Sequence, residues 1–245
     1  MKKIILLGIF LLSTLASALN FSVYPTRFEV VGNTVTTQEL TITNETLQPL
    51  RIEIFASSDE EYGKDYNLNS NITIFPKNVS IKPGASQKVR FRVKPDERLK
   101  EGEFKSNLTF KEIPYEIKST ANKEKESNSI ESNLQFITEV LIPIYSYGEN
   151  LVLDGELKNL QYVYKGEGVN LQLKTISKGN ASIQFFYEIE VAGDKYSGKL
   201  GNSARIGEKN INIFIPLKEG LKGKKATLKI FDQEEKEYYN SKISL

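Results

Sequence analysis

Apolar and polar residues alternate with a period of two along most of the chain, in short runs separated by turn residues. Residues 21–30 alternate and stop at Gly32-Asn33, residues 39–43 stop at Asn44, and residues 50–55 put Ile52 and Ile54 on one face. Residues 72–75 and 79–81 lead into Pro83-Gly84. Residues 87–93 turn Val89, Phe91 and Val93 inward, and residues 103–112 carry Phe104, Leu108 and Phe110. Residues 134–145 close the series. Successive side chains of a strand point to opposite faces, so each run predicts a half-buried strand. No helical period is sustained. Strands at this spacing predict a sandwich of two antiparallel sheets, an all-β fold.

A change in composition at Tyr147-Gly148-Glu149-Asn150 predicts a domain boundary. Beyond it, residues 151–153, 169–175, 182–191, 210–215, 225–231 and 238–243 read as strands, with turns at Gly179-Asn180 and Gly193-Asp194. The predicted organisation is two immunoglobulin-like sandwiches in tandem, residues 19–147 and 148–245, behind a leader of residues 1–18. Residues 115–133 hold Lys, Glu, Ser and Asn with little to bury, which predicts a mobile loop between two strands.

The leader assignment rests on three features in order. Met1-Lys2-Lys3 is a basic head, residues 4–15 are apolar, and Ala16-Ser17-Ala18 has the small-x-small spacing of a signal-peptidase site. The apolar run is shorter than the ~20 residues of a permanent span. Export with cleavage after Ala18 is the expectation, with no membrane span in the mature chain. Losing Lys2 and Lys3 takes the formal net charge from +2 to 0. A neutral chain lacks the basic excess that nucleic acid or an anionic membrane surface would attract.

The sequence holds no His and no Cys. That excludes a Ser-His-Asp triad, a cysteine nucleophile and any His- or Cys-ligated metal site. The acidic residues are scattered at strand ends and in Lys/Glu-rich stretches, so no catalytic constellation, metal or cofactor is expected. Asn-x-Ser/Thr triplets begin at Asn44, Asn71, Asn78, Asn107 and Asn180, a number that an Asn-rich chain reaches by chance.

Residues 134–145 break the pattern of a one-sided strand. Leu134, Phe136, Thr138, Val140, Ile142 and Ile144 share one face, and Gln135, Ile137, Glu139, Leu141, Pro143 and Tyr145 the other. Both faces are apolar, and proline is tolerated mainly at a sheet edge. An edge this apolar is normally blunted with charge, and residues 140–144 carry none. Either the second domain covers the other face, or the strand pairs with the open sheet of another protein.

Several stretches together resemble the periplasmic pilus (fimbrial) chaperones, the PapD-like family. They are Tyr24-Pro-Thr-Arg-Phe28; Leu40-Thr-Ile-Thr-Asn44 with Gln48-Pro49-Leu50; Phe75-Pro76 followed by Ile81-Lys-Pro-Gly84 and Gln87-Lys-Val-Arg90; Lys111-Glu-Ile-Pro114; and Ile142-Pro-Ile-Tyr145. The resemblance covers residues 21–147, and over the second domain it is architectural. It implies an L-shaped pair of immunoglobulin-like domains acting as a periplasmic chaperone. Such a chaperone lends its seventh strand to pilus subunits, delivers them to an outer-membrane usher, and in some cases caps itself by dimerising. It also implies that Phe136, Val140, Ile142 and Ile144 fill the subunit's groove, and that Arg27, beside Thr26, anchors the subunit's C-terminal carboxylate. Glu103 matches a family glutamate of an inter-domain charge network, with Asp232 as its candidate partner. Two departures stand out. No basic residue follows the seventh strand until Lys158, so the family's second anchor, a lysine, has no counterpart, and the cysteines of some members are absent. The alternative from another class is a structural or adhesive component of a surface fibre.

Overall fold

The computed structural model describes residues 19–60, 62–114 and 136–245. The expected leader (1–18) and the expected mobile loop (115–133) lie outside the described residues, as do Leu134 and Gln135.

Nine strands build the first sandwich: β1 (Phe21–Tyr24), β2 (Phe28–Val31), β3 (Thr36–Asn44), β4 (Leu50–Ser58), β5 (Ile72–Phe75), β6 (Asn78–Ile81), β7 (Ser86–Val93), β8 (Glu103–Glu112) and β9 (Glu139–Tyr147). They form one sheet in the order β1-β3-β7-β5 and another in the order β2-β9-β8-β4-β6. Alternation explains the core directly. Leu40, Ile42, Val89, Phe91 and Val93 project from one sheet, and Ile52, Ile54, Leu108, Phe110, Ile142 and Ile144 from the other, all of them buried. The Phe28 and Phe91 rings meet edge to face, with centroids 4.8 Å apart.

The single strand expected over residues 21–30 is two strands in different sheets. Pro25, which has no N–H for a ladder, sits at the break. β1 runs antiparallel to β3, and β2 runs parallel to β9. Asn44 ends β3 as a buried turn residue. Its amide donates to the Gln48 and Ile81 carbonyls while its oxygen accepts from Thr46, so this triplet has a structural use.

Seven strands build the second sandwich: β10 (Gly155–Tyr164), β11 (Gly168–Ser177), β12 (Gln184–Val191), β13 (Asp194–Asn202), β14 (Gly207–Pro216), β15 (Lys225–Asp232) and β16 (Glu237–Ser244). The sheets are β10-β11-β14 and β13-β12-β15-β16. The core lies between them, with Leu171, Leu173, Phe185, Ile189, Leu228 and Ile230 buried. Two of these strands differ from expectation. Residues 151–153 belong to no strand, and β10 follows them instead. β13, absent from the sequence reading, pairs with β12 as a hairpin after the turn at Gly193.

Candidate functional site: a strand edge and an inter-domain cleft

β9 pairs with β8 along its whole length, from Glu139 opposite Lys111 to Tyr147 opposite Glu103. On its other side β2 covers only Ile144 to Tyr147. Among the described residues, the stretch from Glu139 to Pro143 therefore has a strand on one side only. Which backbone groups face the open side follows from Pro143. It has no N–H, so its pairing with Asn107 is of the non-hydrogen-bonded kind, in which both backbone groups point away from the partner. Ile142 and Ile144 bond to β8, while Glu139, Leu141 and Pro143 turn outward. Two hydrogen bonds agree with this parity. Glu112 N donates to Thr138 O on the β8 side, and Gly32 N donates to Tyr147 O on the β2 side. The open edge thus offers the N–H and C=O of Glu139 and Leu141, while the C=O of Pro143 turns to the first residue of β2 in the Phe28–Ile144 pairing.

The row expected to fill a partner's groove divides along its length. Ile142 and Ile144 are 3% and 0% exposed and belong to the domain's own core, so they cannot leave for a partner without opening it. Val140 packs partly against that core. Phe136 is 79% exposed and precedes the strand. On the opposite face Ile137 and Leu141 are each about half exposed.

Arg27 lies between β1 and β2, just before the β2–β9 ladder begins, and Thr26 beside it is exposed. The guanidinium is held in place rather than free in solvent. Nε donates to Glu29 at 2.8 Å, a second nitrogen donates to the Tyr147 hydroxyl at 3.2 Å, and the plane lies 4.2 Å from the centre of the Tyr145 ring. The Tyr147 phenol is pushed up to about 12, by burial first and then by the Glu103 and Glu29 carboxylates. It therefore stays a neutral acceptor for Arg27.

Glu103 and Asp232 are not brought together. Glu103 is buried at the seam, where its carboxylate accepts from Ser182 N at 2.7 Å and from Ser182 Oγ. Asp232 instead organises its own turn, accepting from the backbone of Glu234 and Lys236 and from the Tyr238 hydroxyl. The cation of the seam is Arg205. It donates to the Glu103 carbonyl at 2.9 Å and to the Gly179 carbonyl, and stacks 4.4 Å from the Tyr66 ring centre. Nothing in the sequence distinguishes Arg205 or Ser182 from ordinary turn residues, because the pairing spans about a hundred positions.

A cavity of about 220 Å³ opens in this seam, lined by Asp59, Tyr62, Lys105 and Tyr145 of the first domain and by Asn202, Ser203 and Lys209 among those of the second. Lys105 is mostly buried and ion-paired with Asp59. Among the described residues no cluster of acidic groups is placed to hold a metal ion, and no helix is long and apolar enough to cross a membrane.

Comparison with known proteins places this geometry in context. The family described as "Pili and flagellar-assembly chaperone, PapD N-terminal domain" matches residues 20–143. A search of curated proteins gives no match. Among solved structures, the chain is similar to that of the Salmonella enterica SafA pilin in complex with the SafB chaperone. The identity is 14%, coverage 94% of this chain and 98% of the other, and the TM-score 0.48. It is similar to the YadV chaperone at 13% identity, over 93% of this chain and 100% of the other, with a TM-score of 0.48. The CupB2 chaperone of Pseudomonas aeruginosa gives 12%, 91% and 100%, with a TM-score of 0.45.

Proposed function

The chain belongs to the family of PapD-type pili and flagellar-assembly chaperones, and from that premise we propose that it binds fibre subunits by lending them the open edge of β9. The observation that carries this reading is the uncovered stretch from Glu139 to Pro143, flanked by covered backbone on the same side. An apolar strand edge with unpaired N–H and C=O groups is a template for another chain's sheet.

The side occupied by β8 is closed, so a partner strand adds on the β2 side. If its C-terminal carboxylate rests at Arg27, that strand runs parallel to β9 and ends where β2 begins. Phe136 and Val140 then enter the partner's groove, while Ile142 and Ile144 stay in the chaperone. Burying those two side chains supplies at most roughly 3–6 kcal/mol, at ~1.5–3 each, and ordering the segment offsets part of it. The added strand satisfies the subunit's exposed backbone and covers its unfilled core, which suppresses aggregation. The protein performs this in the periplasm after losing its leader, and passes the subunit to an outer-membrane usher. Without a subunit, two copies pairing at the same edge would satisfy the same groups as a self-capping dimer.

Co-expression with secreted fibre subunits tests the proposal. The wild-type chain should co-purify with a subunit in a one-to-one complex, and Phe136→Asp should abolish capture. Phe214→Asp, on the exposed face of the second domain, should not affect it. Failure of every subunit to co-purify, or undiminished capture by Phe136→Asp, would sink the reading.

A further inference from the structure

We infer that the outer face of the β10-β11-β14 sheet binds an extended, uncharged glycan chain. This site is independent of strand lending, which uses the first domain. Parity decides which side chains reach the face. Val169, Leu171 and Leu173 of β11 are buried, so Asn170, Gln172 and Lys174 point away from the core. The register then aligns Gln161, Gln172 and Asn212 in one cross-strand row. Val163, Asn170 and Phe214 form the row on one side of it, and Lys158, Lys174 and Asn210 the row on the other. Asn159, at φ 52° in the β10 bulge, lines a depression of about 360 Å³ together with Gln161, Gln172, Asn210 and Asn212. A second depression, of about 150 Å³, shares Gln161 and Gln172 and adds Asn170. Six carboxamides thus gather on one sheet face.

Asparagine is depleted in strands, and a merely solvated face carries charge instead. The companion sheet does so, with Glu188, Glu190, Lys229 and Lys242 on its outer side. The six amides are also unpaired. Among the described residues none of their side chains hydrogen-bonds to another, whereas Asn44 and Asn180 use theirs to hold turns. Charge on the face is largely cancelled. Lys174 pairs with Glu208 at 2.7 Å and Lys158 with Glu156 at 3.2 Å, which leaves Lys165, at the rim, without a carboxylate among the described residues. Phe214 is 47% exposed. The tip of its ring lies 2.7 Å from where a Cβ on Gly168 would stand, so that glycine seats the ring against the sheet.

A carboxamide presents two donors and an acceptor, the complement of neighbouring sugar hydroxyls, each of which donates and accepts. Strands ~4.8 Å apart, with outward residues about 7 Å apart along each, make a grid close to the size of a sugar ring. Phe214 and Val163 meet the apolar C–H face of a pyranose. Nucleic acid or an anionic surface would call for a basic excess, and a protein partner for a broader apolar patch. The face has neither. From Gly168 to Lys174 it runs roughly 20 Å at ~3.4 Å per residue, room for several sugar units in line.

The test titrates the full chain with cellohexaose and, separately, with chitohexaose, following the side-chain amide signals by NMR. Saturable shifts with at least one of them, confined to the six carboxamides and the Phe214 ring, are the expected result. Replacing Gln172 and Asn212 together by alanine takes two amides from the central row. It should weaken binding by about tenfold or more, as the loss of several hydrogen bonds does. Phe214→Asp should weaken it likewise while subunit capture continues. Absence of saturable shifts with both sugars overturns the inference, and so does full affinity in variants that melt like wild type. If a variant melts lower, the wild-type shift map decides, and shifts located elsewhere overturn it. Shifts on these amides that need no sugar and grow with protein concentration assign the face to a second copy of this chain and overturn it too.

Discussion

Replacing Ile144 and Phe136 by alanine, one at a time, probes how a single strand divides between holding its own domain and serving another. Ile144 has no exposed surface and lies in the first core, on β9 between β2 and β8. Truncating a fully buried isoleucine removes its transfer energy and leaves a cavity, together about 2–5 kcal/mol. Against a typical domain stability of about 5–15 kcal/mol, that is a large fraction. Phe136, by contrast, is 79% exposed. Its truncation should change stability by no more than about 0.5 kcal/mol. If it enters a partner's groove, however, it forfeits roughly 1.5–3 kcal/mol of burial, or about 10- to 150-fold in affinity. Urea unfolding followed by circular dichroism measures the first quantity, and titration against a captured subunit the second. The expected result is a lowered midpoint with Ile144→Ala and a weakened complex with an unchanged midpoint for Phe136→Ala. An unchanged midpoint for Ile144→Ala, or unfolding of both variants alike, would refute the division of the strand.

Arg205→Ala removes the guanidinium that bonds to the Glu103 carbonyl across the seam and to the Gly179 carbonyl within its own domain. At about 1.5–3 kcal/mol for hydrogen bonds to a charged donor, the domains should uncouple, and calorimetry should show two melting transitions where wild type shows one. Asp96 gives a pH dependence. The Asn71 amide, and then the backbone N–H of Leu99, hold its pKa below the ordinary 3.8 despite some burial. A carboxyl with a depressed folded pKa contributes stability that is fully present above the unfolded value and is lost as pH falls through the folded one. Wild type should therefore lose melting temperature below about pH 4, and Asp96→Asn should show a shallower acid slope over that window. Parallel slopes for the two proteins would discount Asp96.

The first domain was largely legible because its strands alternate without interruption. Residues 87–93 read as a strand, and Val89, Phe91 and Val93 are each 1% exposed on β7. β10 was not legible because a bulge between Lys158 and Gln161, with Asn159 at φ 52°, breaks the period-2 pattern. β13 was hidden by glycines at 198 and 201, which leave few apolar positions to alternate. At the cleft, the sequence singled out Arg27 as a candidate, and the structure adds where it stands, just before the β2–β9 ladder. Lys105, between Phe104 and Ser106, looks like any solvated strand lysine until the register sets it against Tyr145. The split within the even-numbered row of β9 was equally invisible. Phe136 and Ile144 follow one alternation, and only the fold separates them, with Ile142 and Ile144 in the core of the first domain and Phe136 exposed ahead of β9.

Amide hydrogen exchange on β9 tests strand lending most directly, because the parity set by Pro143 assigns each amide a side. In the free protein Glu139 and Leu141 should exchange rapidly, while Ile142 and Ile144, bonded to β8, should be protected. In complex with a subunit, Glu139 and Leu141 should slow by about tenfold or more as their N–H groups join a new ladder. A complex that forms while these two amides go on exchanging as in the free protein would contradict the account.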